Sequence, residues 1–165
     1  MATITLKGNE IHTVGNLPEI GSDIVDFELV GQDMSVKNLA SFEGKNKIFN
    51  IFPSIDTPTC AQSARQFNVD ASQLENTVVI NVSKDLPFAL GRFCAAEGIN
   101  NVETLSAFRG SFGEDYGVTI SDSAMSGLLS RAVVVVDSQN KVLYTEQVAE
   151  IANEPNYQAA LASLK

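Results

Sequence analysis

The sequence predicts an α/β fold in which helices flank a central mixed sheet, and three observations support this prediction. First, three runs of residues, at 47–52, 77–82 and 132–136, are apolar with little alternation, as is typical of strands buried on both faces. Second, a segment compatible with a helix follows each of the first two runs. Third, 165 residues with 44% hydrophobic content suit one core, so a single domain over residues 1–165 is expected.

The charge of the chain narrows the choice of partners. The sequence has 11 Lys and Arg residues against 20 Asp and Glu residues, a net charge of −9. Such a protein repels phosphate backbones and anionic lipid headgroups, so we expect no nucleic acid and no membrane partner, whereas small neutral substrates are compatible with it. The first ten residues contain no apolar stretch long enough for a signal peptide or a membrane span, which favours the cytoplasm.

The N-terminal part of the chain predicts two short hairpins. The first joins the β-prone runs Thr3–Leu6 and Ile11–Val14 through a turn with Gly-Asn at its centre, and it spans about residues 3–14 at the edge of the fold. The second joins the short runs 27–30 and 34–36 across a Gly-Gln-Asp turn. Both hairpins precede the first of the buried strands.

The later elements alternate between strands and helices. They are predicted as strand 47–52, helix 60–75, strand 77–82, helix 86–97, strand 102–105, helical turn 112–116, strands 132–136 and 142–144, and helix 157–164. Gly98 closes the second helix as a C-terminal stop, and the last two strands pair as an antiparallel hairpin. A βαβ unit followed by such a hairpin and a helix fits a thioredoxin-like fold.

The segment from Pro53 to Cys60 lies between the first buried strand and the first long helix. Thr57 is predicted as the N-cap and Pro58 as the first helical residue, which places Cys60 at the third helical position. A thiol there faces unpaired backbone amides and the positive end of a helix dipole, and both favour the thiolate. Because α/β sites form at the carboxyl end of a sheet, we interpret Cys60 as functional rather than as a small buried hydrophobic residue.

The spacing Pro-x-x-x-Thr-x-x-Cys, filled by Pro53, Thr57 and Cys60, resembles the active-site signature of the peroxiredoxins. The resemblance extends to Cys94 on the second long helix and to Arg131 at the head of a buried strand. Together with the N-terminal hairpin, these residues look most like the thiol peroxidase subfamily, whose members are atypical 2-Cys peroxiredoxins. The resemblance implies a bacterial enzyme that reduces hydrogen peroxide and organic hydroperoxides.

The resemblance also implies a role for each residue. Cys60 would be the peroxidatic nucleophile, whose thiolate attacks a hydroperoxide and becomes a sulfenic acid. Cys94 would be the resolving cysteine of an intramolecular disulfide that a thioredoxin-type protein reduces. Thr57 and Arg131 would bind the thiolate and the peroxide, and Pro53 would shield the nucleophile from water. A homodimer packed near the active-site loops is implied, and no metal, flavin or nicotinamide cofactor is.

The residues by themselves leave simpler explanations open. Thr57 could serve only as a helix cap, Pro53 only as a strand terminator, and Arg131 only as a surface charge at the end of a strand. Cys94 shares a helix face with the leucines four and eight residues before it, so the pattern alone predicts a core thiol. These four assignments therefore depend on the resemblance.

Other chemistries fit the sequence less well. The only histidine, His12, lies in the N-terminal hairpin, far in sequence from Cys60, which argues against a Cys-His hydrolase. Two cysteines and one histidine do not complete a tetrahedral zinc site, and the chain has no Cys-x-x-Cys, P-loop or Gly-x-Gly-x-x-Gly motif. The main alternative is a redox-switch module, in which a bridge between Cys60 and Cys94 changes a surface without turnover.

Overall fold

The computed structural model describes residues 1–165, and its elements follow the predicted order. The strands are β1 (Thr3–Leu6), β2 (Asn9–His12), β3 (Leu29–Val30), β4 (Val36–Lys37), β5 (Asn46–Ile51), β6 (Thr77–Ser83), β7 (Glu103–Ser106), β8 (Ala132–Val136) and β9 (Val142–Gln147). The helices are a 3₁₀ turn at Leu39–Phe42 and α1 (Pro58–Ala71), α2 (Pro87–Glu97), α3 (Phe112–Asp115) and α4 (Tyr157–Ala162). None of these helices has the length and apolarity needed to cross a membrane.

The strands form one large sheet and one small one. The large sheet is seven-stranded, in the order β4-β3-β7-β6-β5-β8-β9, and β1 and β2 form a separate two-stranded sheet. At the centre, β5 pairs in parallel with β6 and antiparallel with β8. The predicted thioredoxin-like arrangement, a mixed sheet with flanking helices and an added N-terminal hairpin, is therefore confirmed.

Burial of the central strands on both faces explains their apolar sequence. Phe49 and Val134 point to one face, where they pack with Phe112 of α3. Ile48 and Val133 point to the other face, beneath α1 and α4. Because β5 is enclosed in this way, the loop that follows its last residue emerges at the rim of the sheet, between the core and solvent.

The turn of the N-terminal hairpin differs from the prediction. It is centred on Lys7 and Gly8, whose φ angles are 50° and 82°, and not on the Gly-Asn pair. Since Leu6 pairs with Asn9, only two residues remain for the turn, and a two-residue turn of this kind needs positive φ at both positions. Glycine satisfies that need at the second position.

The hairpin packs against segments next to the large sheet. Ile4 and Ile11 form a buried cluster with Ile120 and Ile151. The amide of Thr5 also donates to the backbone carbonyl of Ala149, at 2.7 Å. The hairpin is thus attached near the start of β8 and the end of β9, on the side where α1 begins.

His12 of β2 joins the hairpin to the loop that precedes β8. Its Nδ1 lies 2.7 Å from a carboxylate oxygen of Asp122, and its Nε2 lies 3.1 Å from Glu10. The hydrogen bond with Asp122, aided by both negative charges, raises the pKa of His12 above its usual 6.5. Because the folded pKa exceeds the unfolded one, the contact stabilises the fold below about pH 6.5, and this contribution is lost as the pH rises through the raised pKa.

An NMR titration of His12 is therefore expected to give a pKa above 6.5. Asp122→Asn should lower that pKa towards its usual value, because the substitution removes the main hydrogen bond and one negative charge. Glu10→Gln, at the longer contact, should lower it less. If the pKa of His12 were the same in the Asp122→Asn variant as in the unaltered protein, the pairing would not exist in solution.

Candidate active site

The first turn of α1 has the predicted local structure. Thr57 is the N-cap, with φ −95° and ψ 146°, and Pro58 begins the helix, so Cys60 is its third residue. The Thr57 hydroxyl, however, does not cap the helix and instead donates to the Ser54 carbonyl oxygen at 2.9 Å. Thr57 therefore occupies the predicted position, while its side chain stabilises the preceding loop.

Cys60 is buried at the point where helix amides are unpaired. Its exposed fraction is 0%, and its neighbours are apolar: Phe52, Ile55, Ala64 and Leu90. The amide of Ala61 donates to the Thr57 carbonyl at 3.0 Å, which is the first hydrogen bond of the helix. The amides of the residues before Ala61 in the first turn therefore have no acceptor within the helix. Those amides and the helix dipole give the sulfur a local positive field in a site that excludes water.

Arg131 reaches this sulfur from the start of β8. The guanidinium is buried, with 2% of the residue exposed, and its Nη2 lies 3.2 Å from Cys60 Sγ. Its Nε donates to the Ile151 carbonyl oxygen at 2.7 Å, which fixes the orientation of the planar group. Its Nη1 is buried without a hydrogen-bond partner. An unpaired buried donor is costly, so Nη1 marks a place for an acceptor atom of a ligand.

The remaining arginines lie away from the cysteine. Their guanidinium groups contact other side chains at the surface: Arg65 with Glu97, Arg92 with Asp56, and Arg109 with Phe108. The structure therefore brings Arg131, and none of these three, to Cys60.

A pocket of about 320 Å³ lies in front of the buried guanidinium. Pro53, Thr57 and Arg131 line it, together with Leu6, Lys7, Pro58, Thr59, Met125, Ile151 and Ala152. The N-terminal hairpin thus contributes a wall of the pocket. The sequence does not indicate Leu6, Met125 and Ile151, because no local pattern shows that their three segments meet.

Cys94 lies on α2 and faces β7 rather than Cys60. It is 7% exposed, and both cysteines are free thiols. Burial raises the pKa of the Cys94 thiol, and side-chain hydrogen bonds with Thr104 and Gln32 partly oppose that rise. Leu90 shares the predicted helix face, but Leu86 does not: it is 52% exposed, because it is the N-cap of α2 and lies outside the helix.

A row of buried polar side chains connects α1 with the strand beneath Cys94. Asn50 donates to Ser63 of α1 at 3.3 Å and to Asn81 at 2.9 Å. Asn81 in turn donates to Thr104 at 3.3 Å. Most polar atoms of this row bond to one another, while Asn50 Oδ1 has no partner, and the hydrogen bonds join α1 to the sheet.

Comparisons with known proteins agree on one family of proteins. The Redoxin family profile matches residues 19–161. The chain is 58% identical over 164 residues to a thiol peroxidase of Mycobacterium tuberculosis strain H37Rv, and 52% identical over 164 residues to one of Corynebacterium glutamicum, in each case covering 99% of both chains. A crystal structure of a peroxiredoxin-like protein from Aquifex aeolicus superposes with a TM-score of 0.94 at 36% identity, covering 99% of this chain and 96% of that one.

Proposed function

This chain belongs to the Redoxin family, as a peroxiredoxin of the thiol peroxidase subfamily, and from that premise we propose that Cys60 is the nucleophile with which it reduces hydroperoxides. The enzyme is a thiol-dependent peroxidase. The single observation that carries the assignment of the nucleophile is the contact of 3.2 Å between the buried guanidinium of Arg131 and Cys60 Sγ. A buried cation at hydrogen-bond distance from a sulfur can bind the reacting atoms, and the other cysteine has no such contact.

In the first step, the Cys60 thiolate attacks the distal oxygen of the hydroperoxide. An S–O bond forms and the O–O bond breaks, which leaves a sulfenic acid, while the proximal oxygen takes a proton and departs as an alcohol or as water. The unpaired Nη1 of Arg131 would donate to a peroxide oxygen as its charge increases. The Thr57 hydroxyl, already donating to a carbonyl, would accept a hydrogen bond from the peroxide O–H, and Pro53 would exclude water.

In the second step, the Cys94 thiol attacks the sulfenic acid of Cys60, so that a disulfide forms and water leaves. A thioredoxin-type dithiol protein then reduces the disulfide and restores both thiols. Cys94 is buried against Thr104 and Gln32 rather than beside Cys60, and burial there raises the pKa of its thiol, so we propose that it leaves this position before it reacts. A rearrangement of α2 is therefore part of each cycle.

The shape of the pocket supports organic hydroperoxides as substrates besides hydrogen peroxide. Leu6, Met125 and Ile151 offer apolar walls in the pocket that Arg131 also lines, and an alkyl group would bury its surface against them. We also propose a role in antioxidant defence in the cytoplasm.

A homodimer is supported by two exposed apolar side chains beside the start of α2. These are Leu86 and Phe88, which are 52% and 69% exposed.

A coupled assay tests the proposed function. NADPH, thioredoxin, thioredoxin reductase and a hydroperoxide are mixed with the protein, and continuous oxidation of NADPH is expected. A redox-switch module would instead consume one equivalent of peroxide and stop. The absence of turnover with thioredoxin and with small dithiols would contradict the proposed function.

The resolving step has its own test. Treatment with one equivalent of peroxide is expected to give a disulfide within one chain, seen on a non-reducing gel as a compact monomer band and by mass spectrometry as a peptide pair containing Cys60 and Cys94. Cys94→Ser should instead accumulate the sulfenic acid, because its resolving thiol is gone. A covalent dimer that disappears in Cys94→Ser would show that the resolving step joins two chains.

A further inference from the structure

Asp85 lies in the loop that leads into α2, and its half-buried carboxylate holds the loop that precedes α1. One of its oxygens accepts a hydrogen bond from Ser54 Oγ at 2.8 Å, and the other accepts one from the Ile55 amide at 2.7 Å. A third hydrogen bond comes from Ser83 Oγ at 2.6 Å. One side chain thus joins the two segments that carry the cysteines.

The backbone of Asp85 is anchored to the large sheet. The hydroxyl of Ser106 in β7 donates to its carbonyl oxygen, and its own amide donates to the Ser83 hydroxyl at 3.2 Å. The next residue, Leu86, is the exposed N-cap of α2. The start of α2 is therefore held by these hydrogen bonds together with its first helical residue, Pro87, which is buried.

The loop on the other side of this contact reaches the nucleophile. Ile55 is 1% exposed and packs with Cys60 and with Leu90 of α2. The Ser54 carbonyl oxygen accepts hydrogen bonds from both the amide and the hydroxyl of Thr57, at 3.1 and 2.9 Å. The carboxylate therefore fixes the loop whose shape determines where α1 begins and how the sulfur is covered.

We propose that Asp85 is a positioning residue with opposite effects on the two chemical steps, an inference that rests on the proposed function. In the reduced enzyme, it holds the loop before Cys60 in the form that reacts with hydroperoxide. After sulfenic acid forms, the same hydrogen bonds retain the start of α2 and so hold Cys94 in its place against β7. They must open before the disulfide can form.

The far end of α2 is held differently. Arg65 and Glu97 form an exposed ion pair at 2.7 Å. Beyond the end of the helix, Asn68 Oδ1 accepts hydrogen bonds from the backbone amides of residues 100 and 101, at 3.1 and 2.8 Å. Exposed ion pairs contribute little to stability, so this end is not expected to limit the release of α2. The carboxylate at the start of the helix is the stronger restraint, because three donors converge on it.

Asp85→Ala removes all three acceptor contacts, and rapid-quench mass spectrometry can measure formation of the sulfenic acid and of the disulfide separately. The rate constant for sulfenic acid formation is expected to fall about tenfold, as for loss of one charge-assisted hydrogen bond. The rate constant for disulfide formation is expected to rise several-fold, because α2 is released. Asp85→Asn keeps one acceptor oxygen and should change both constants in the same directions by smaller factors, which covers the case of an unstable alanine variant.

Two control variants complete the experiment. Asp137→Ala removes another carboxylate that fixes a loop, through hydrogen bonds from two backbone amides at 2.8 and 3.0 Å in the turn between β8 and β9, and both rate constants should stay unchanged. Glu97→Gln loosens the far end of α2 and should also leave them unchanged. A disulfide rate constant that falls or stays the same in both Asp85 variants, or that rises only in Glu97→Gln, would overturn the proposal. Failure of the proposed function would appear differently, as absence of the disulfide in the unaltered enzyme.

Discussion

Replacing Cys60 with serine is expected to abolish peroxidase turnover while the protein keeps its fold. A serine hydroxyl does not ionise near neutral pH and forms no sulfenic acid, so neither chemical step can proceed. Serine is close to cysteine in size, and its oxygen can accept a hydrogen bond from Arg131 Nη2, the group that now lies 3.2 Å from the sulfur. We therefore expect the free energy of unfolding to change by only about 1–2 kcal/mol.

The coupled thioredoxin assay and a thermal melt measure these two quantities. Cys94→Ser is the matched control, because it replaces the other buried thiol and should still consume one equivalent of peroxide in a single turnover. Thioredoxin-linked activity in Cys60→Ser would end the assignment of the nucleophile. A large fall in the melting temperature of Cys60→Ser would instead show that Cys60 is mainly a packing residue.

Arg131→Lys is expected to lower the rate of reaction with peroxide by about 10²–10³-fold, the range found when a donor to a developing oxyanion is removed. Lysine keeps the positive charge but loses the planar group, which bonds the Ile151 carbonyl through Nε, lies against the sulfur through Nη2 and leaves Nη1 unpaired as the proposed donor to the peroxide. The thiolate fraction should change far less than the rate. The two losses are therefore expected to be unequal.

For any thiol, a lower pKa gives only a small gain in the rate of nucleophilic attack. Lowering a thiol pKa from about 8.5 to about 6 raises the thiolate fraction at pH 7 about 30-fold. Nucleophilicity falls at the same time about tenfold, with a Brønsted coefficient of roughly 0.4–0.5. Since only a few-fold gain remains, fast peroxide reduction must depend on donors that align the O–O bond and stabilise the leaving oxygen.

Stopped-flow measurement of the peroxide reaction, together with the ultraviolet absorbance of the thiolate, separates the two effects of Arg131→Lys. Arg92→Lys is the control, because Arg92 forms only a surface contact with Asp56 at 3.6 Å and should leave both quantities unchanged. If the rate fell only in proportion to the thiolate, the role of Arg131 in the transition state would be wrong.

Local chemistry was sufficient to predict most elements of the fold. The apolar run 47–52 corresponds to β5 at Asn46–Ile51, because a strand covered on both faces needs apolar side chains throughout. Pro58 begins α1, because proline has no amide to lose at that position. Helix ends were less accurate: α1 stops at Ala71, short of the predicted residue 75, since the end of a helix depends on weak local preferences.

The sequence by itself determined the three buried strands, the start of α1 and the position of Cys60 in its first turn, because each depends on neighbours within a few residues. Only the tertiary structure decided what surrounds that sulfur. Arg131 is 71 residues away in the chain, and it arrives because β8 runs antiparallel to β5 with Ala132 opposite Ile51, so the residue before β8 lies beside the residues after β5. Leu6 comes to the pocket through packing of the hairpin, and Asp85 comes to the loop before α1 because β6 lies parallel to β5, so that both strands end at the same rim of the sheet.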